Sequence, residues 1–229
     1  MKRFLFIGAA ALILAGCAKP APQTATTSAS ASAATSAPSI AGIPAGEYRT
    51  DPPHTSLTFE VGHMGFSHYT ARFATVDAVL KLDPARPDQA TVTATIDPQS
   101  LALNTPPAGF HDTLMGKEFF DAKAFPTITF ASTGVEMTGA NTAKVTGNLT
   151  LHGVTKPVTL VATFNGGYPG MDLDPQARIG FSLTGQLKRS DFGMGYGIPA
   201  PGSTMGVSDE VDVQIETEML GPKLVKKSS

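Results

Sequence analysis

Five histidines, a single cysteine and the run Arg189-Ser190-Asp191 are the groups with which this 229-residue chain could do chemistry. His54, His63, His68, His111 and His152 form no His-Glu-x-x-His pattern, and one cysteine cannot make a Cys-x-x-Cys pair, so no metal site is expected. In an extended strand, Arg189, Ser190 and Asp191 point alternately to opposite faces, which rules out a triad and suggests an ion pair tying a strand end to a loop. There is no Gly-x-Ser-x-Gly elbow. Gly193-Met194-Gly195-Tyr196-Gly197 has the glycines of a phosphate loop, but Pro199 and Pro201 forbid the helix that must follow. Asn148-Leu149-Thr150 is a sequon inside an expected strand. No catalytic residue is assigned, and the chain is expected not to be an enzyme.

Cys17 has a different use. Lys2 and Arg3 precede the apolar run Phe4 to Leu14, and Leu14-Ala15-Gly16-Cys17 ends it. A spanning helix needs about 20 apolar residues, so the run reads as a cleaved secretory signal over residues 1–17. Its end resembles a bacterial lipobox, in which the cysteine is acylated and holds the protein on a membrane. Ala18 stands where Asp would signal inner-membrane retention, which points to the outer membrane, with the protein facing the periplasm.

The signal is followed by elements of contrasting composition. Residues 18–45 are almost entirely Ala, Ser, Thr and Pro, too poor in apolar area to offset ordering entropy, and read as a disordered tether. Residues 46–221 form one domain, and 222–229 a basic tail with Lys223, Lys226 and Lys227. The net charge is −2, and no basic stripe is present, so nucleic acid is excluded as a partner.

Within the domain, apolar residues recur at every second position. Leu57, Phe59, Val61 and His63 share one face. The alternation returns in Val76 to Leu82, Val92 to Ile96, Ile128 to Phe130, Val145 to Leu151, Val158 to Phe164, Ile179 to Leu183 and Val211 to Ile215. These predict about eight strands in an all-β domain, their other faces rich in Thr. One short helix is expected over residues 112–120, and turns at Thr138 to Asn141 and Asn165 to Gly167. Such strands either stack as a sandwich or close into a barrel, and eight closed strands either fill their interior or hold one ligand. Thirteen Phe, four Tyr and no Trp suit an apolar lining as well as a dry core.

Four ordered blocks carry a resemblance: Tyr48-Arg49-Thr50-Asp51-Pro52-Pro53-His54-Thr55-Ser56 with Phe59 to Gly65; Glu118-Phe119-Phe120-Asp121-Ala122 with Phe125 to Thr133; Val145 to Val158; and Arg189-Ser190-Asp191-Phe192-Gly193 with Val207 to Val211. From Gly46 to about Met219 the chain resembles the YceI-like family. That resemblance implies an eight-stranded antiparallel up-and-down lipocalin-like barrel that binds a polyisoprenoid or isoprenoid quinone, carried or sequestered in the envelope. Where family members often have Arg-Asp-x-His-Leu, this chain has Phe110-His111-Asp112-Thr113-Leu114, and the loop from Gly193 to Ser203 is individual to it.

The expected ligand-binding positions are Phe59, Val61, His63, Ile96, Phe130, Leu149, Leu151, Leu160, Phe181 and Leu183 along the inward face. Phe119, Phe120 and Phe192 are expected at the ends. His63 either bonds a lipid head group or is a core histidine satisfied by backbone. His54 and His152 are read as turn residues. No cofactor is expected beyond a bound isoprenoid-type lipid. The partners are that lipid and the membrane through acylated Cys17, with a homodimer and a membrane redox protein as candidate protein partners. An envelope stress or interaction scaffold with a filled core is the second reading, and a metal-assisted enzyme the third.

Overall fold

The computed structural model describes residues 39–224. The signal, the Cys17 lipidation site, residues 18–38 of the tether and 225–229 of the tail lie outside the described residues.

Ten strands and one short helix follow one another: β1 Gly46–His63, β2 Ser67–Phe73, β3 Val76–Leu82, β4 Thr91–Ile96, β5 Leu101–Ala102, α1 Phe110–Leu114, β6 Ile128–Met137, β7 Thr142–Leu151, β8 Val154–Tyr168, β9 Gln176–Lys188 and β10 Val207–Lys223. β2 and β3 both pair with β1, Phe73 opposite Leu57 and Val79 opposite Arg49, so they are two halves of one broken strand. β5 continues β4 in the same way, beside β2. Ten segments therefore fill eight strand positions. Neighbours pair antiparallel throughout, and β10 returns to β1 with Val213 opposite Phe59, closing the expected up-and-down barrel. Closure leaves no long edge exposed.

Pro52 and Pro53 explain an irregularity in β1. Neither can donate to a ladder, and the β1–β10 register shifts between Thr50 and Thr55. One pole is plugged by side chains: Tyr48, Leu82, Phe164, Ala177, Ile179 and Met219 are buried together with Ile43. The Tyr48 ring occupies the place of a side chain at Gly221, where a Cβ would stand 2.1 Å from Cε1. Its hydroxyl donates to the Pro44 carbonyl at 2.6 Å, and burial pushes the phenol up to about 12.

Several boundaries differ from expectation. The helix covers Phe110–Leu114, not 112–120, because Gly109 starts it and Met115 to Ala124 turn repeatedly. Asn165-Gly166-Gly167 is no turn but a register shift inside β8, whose reversal lies at 169–175. Ile43, placed by composition in the tether, is buried against the plugged pole. Pro222 and Lys223, assigned to the tail, end β10.

Candidate functional site

A cavity of about 780 Å³ runs through the barrel, within the range of small-molecule sites. Alternation builds it, because each strand sends every second side chain inward. Among the expected positions, Phe59, Val61, His63, Ile96, Phe119, Phe120, Phe130, Leu149, Leu151, Leu160, Phe181 and Leu183 all line it. Phe192 does not: its side chain is buried in the neighbouring core with Leu151, Met115 and Met194, on a 3-10 turn spanning Arg189–Phe192.

Other parts of the wall were not among the assigned ligand-binding positions. Tyr69 and Phe73 on β2, Leu101 on β5, and Val211, Val213 and Ile215 on β10 also line the cavity. Alternation had identified the last three as an inward face, and the same period would have found Tyr69, Ala71 and Phe73. Phe59 and Phe120 approach Phe73 with ring centroids 5.6 and 5.7 Å away.

Most of the wall is apolar; Thr50, Thr55 and Thr217 border its plugged half, and His63 and Tyr196 stand at the pole opposite the plug. There His63, Phe110, Tyr196 and Gly197 border the cavity and are exposed, which marks the mouth. Tyr196 meets Phe119 edge-on at 5.5 Å. Phe110 and Leu114 also reach the cavity, whereas Thr113 bonds its own turn through the Gly109 carbonyl at 3.2 Å. His63, the last residue of β1, faces Ser67 and Val207, so it is a rim residue and not a core histidine. Thr159 and Gln186 border the cavity where β8 and β9 diverge, since their ladder begins at Leu160 and Gly185.

Arg189 organises the mouth. Its guanidinium is buried and donates to the carbonyls of Ser208, Met194, Tyr196 and Val207 at 2.8–2.9 Å. The expected ion pair is thus replaced by backbone oxygens, with Asp209 accepting instead from Ser190. Burial lowers the Arg189 pKa, with Asp209 opposing. His152 takes positive φ in the β7–β8 turn and bonds the Phe192 carbonyl at 3.0 Å through Nδ1.

Asp51, His54 and Glu218 bring ligand-type atoms within 4.8 Å of one another. A cation already occupies this cluster: Arg178 donates to Asp51 at 2.5 Å and to Glu218 at 2.7 Å. Arg178 and then His54 hold the Asp51 carboxyl below its ordinary range. The set is an ion-pair network fastening the β1 irregularity to β9 and β10, outside the cavity lining.

The YceI-like domain model matches residues 48–219. A UPF0312 protein of Pseudomonas putida is 37% identical over 174 residues, which span 75% of this chain and 86% of the relative. The crystal structure of Burkholderia cenocepacia BcnA superposes with a TM-score of 0.61 at 28% identity, covering 74% of this chain and 98% of the other. The YceI protein of Campylobacter jejuni gives 0.59 at 32% identity, with 70% and 90% covered. A polyisoprenoid binding domain from Saccharophagus degradans shares the fold at TM-score 0.56 and 15% identity, over 78% of this chain and 100% of that one. With its barrel, its four sequence blocks and these relatives in agreement, this chain belongs to the YceI-like family.

Proposed function

We propose that the barrel binds one long apolar lipid of isoprenoid type, a polyisoprenoid or isoprenoid quinone, and sequesters or carries it in the bacterial envelope. The observation carrying this reading is the lumen itself: it is open, largely apolar and plugged at one pole, with His63 on the rim of the other. At about 30 Å³ per water the cavity has room for roughly two dozen, more than the few polar side chains among its walls could hydrogen-bond. A hydrocarbon tail suits those walls. Burying several hundred Å² at ~25 cal/mol per Å² supplies on the order of 10 kcal/mol before association costs. The neighbour from Saccharophagus degradans carries polyisoprenoid binding in its name, which agrees with this reading. A scaffold with a filled core fits less well, because side chains leave the lumen open.

Native mass spectrometry of protein produced in a bacterial envelope, followed by organic extraction, tests the proposal. One lipid per chain is expected. Protein that carries no lipid and excludes an apolar dye overturns it.

Acylation of Cys17 would keep such a carrier at the periplasmic face of the outer membrane. Cys17→Ser is expected to remove the acyl mass and shift the protein out of the membrane fraction. An unchanged fractionation would sink the anchor and leave the lipid reading standing.

A further inference from the structure

The mouth carries more apolar surface than cargo enclosure requires. Phe66 is 80% exposed, Met205 66%, Tyr196 59% and Phe110 38%. They come from three separate connections: the β1–β2 turn, the β9–β10 loop and α1. In an up-and-down barrel these connections emerge at one pole. The β1–β2 turn and the β9–β10 loop are also joined directly, because Met64 N–H donates to the Gly206 carbonyl at 2.8 Å. A Cβ at Gly65 would stand 3.0 Å from the Thr204 side chain. Phe66 and Met205 adjoin these contacting residues in sequence, so both lie on the rim. Tyr196 and Phe110 each face both solvent and cavity, so at these two positions the outer apolar surface runs into the inner one.

From this continuity we infer that the mouth is a bilayer-docking surface, through which a lipid passes between membrane and lumen without crossing water. The inference rests on the lipid-binding reading and adds the partner: the acyl region of a phospholipid leaflet. Scattered exposed apolar side chains need no explanation. Four at the opening of an apolar cavity, two of them lining it, do, because a cargo of negligible water solubility must leave one apolar phase for another. Aromatic and Met side chains suit shallow burial at the boundary between headgroups and acyl chains. Both described chain ends, Ser39 and Leu224, lie towards the plugged pole, where β1 begins and β10 ends, so neither obstructs the mouth. That pole has its own exposed residues, Met137, Met171, Leu173 and Leu224, but none of them lines the lumen.

The chain contains no tryptophan, which allows one reporter at each pole. Phe66→Trp and Leu173→Trp, each in the full chain, are mixed with phosphatidylethanolamine–phosphatidylglycerol vesicles whose acyl chains carry bromine. Phe66→Trp should shift to the blue and lose most of its emission, while Leu173→Trp stays unquenched. Neither position lines the cavity, so native mass spectrometry of the same preparations reads cargo independently. Unquenched Phe66→Trp in lipid-loaded protein overturns docking and leaves the carrier reading intact. Quenching at Leu173→Trp alone, or equally at both positions, overturns it too, since the membrane would then not be selecting the mouth. A Phe66→Trp shift that grows with protein concentration, without vesicles, identifies a second copy as the occupant and also overturns it.

Discussion

The ring of Phe130 lies over Gly147: a Cβ built at that glycine would stand 2.3 Å from Phe130 Cζ. Gly147 pairs with Ser132 across the β6–β7 ladder and Phe130 with Leu149, so the ring reaches diagonally into space that no side chain occupies. Local propensity alone would have alanine stabilise a strand interior relative to glycine. Packing reverses the sign here. Gly147→Ala is expected to cost about 1–3 kcal/mol, as overpacking does, and to lower the melting temperature by several degrees. The Ala131 carbonyl also stands 2.6 Å from that Cβ, so adding Phe130→Leu should restore only part of the loss. A single variant that melts like the parent would show that the ring moves aside without cost.

Ala94 faces Phe130 from β4 and borders the same lumen. Ala94→Trp would put a large ring into open volume, not into a filled core. The expected outcome is loss of the co-purifying lipid with melting unchanged or raised. If the variant retains its lipid in native mass spectra, the cargo does not occupy this stretch. If it unfolds instead, the lumen is less open than its geometry indicates.

Much of the cavity was legible because strands repeat every two residues: once Phe59 and Val61 face inward, the barrel decides little more about them. Phe192 shows where that logic ends. It lies on a 3-10 turn after β9, where the period of two stops, and its ring enters the core beside the cavity. Pro52 and Pro53 break the period in β1, so no parity could be carried back to His54, which bonds Asp51 at 2.8 Å. The partners of Arg189 were equally hidden, since backbone carbonyls leave no mark in a sequence. Tyr69 and Phe73 were missed for a different reason: Ser67, His68, Thr70 and Arg72 make β2 look polar, although its inward residues alternate correctly.

Asp51 predicts an acid-sensitive element. Its pKa is lowered in the folded protein, first by the hydrogen bond from Arg178 and then by His54, relative to about 3.9 unfolded. A depressed carboxylate pKa contributes stability that is present above the unfolded value and lost as pH falls through the folded one. Asp51→Asn should therefore melt lower than the parent at neutral pH, by the equivalent of about 1–3 kcal/mol for a largely buried charged hydrogen bond. The gap should narrow only below about pH 4. Melting curves across pH 2–7 decide it. A gap that stays constant to the lowest pH would mean that the loss comes from geometry and not from charge.

His63 gives the sharpest test of how the head of the cargo is held. It stands exposed on the rim at the end of a largely apolar wall, where a polar head group would emerge from the lumen. One hydrogen bond is worth about 1 kcal/mol net, or roughly five-fold in affinity. His63→Leu should thus release a lipid with a carbonyl or phosphate head several times faster, leave a headless hydrocarbon unaffected, and melt with the parent, because an exposed rim residue supports no core. Competition between the two ligand types against one apolar dye separates the effects. Equal weakening of both would move the role of His63 from the head group to the shape of the mouth. A collapse in melting temperature, with retention per folded molecule unchanged, would make the residue structural.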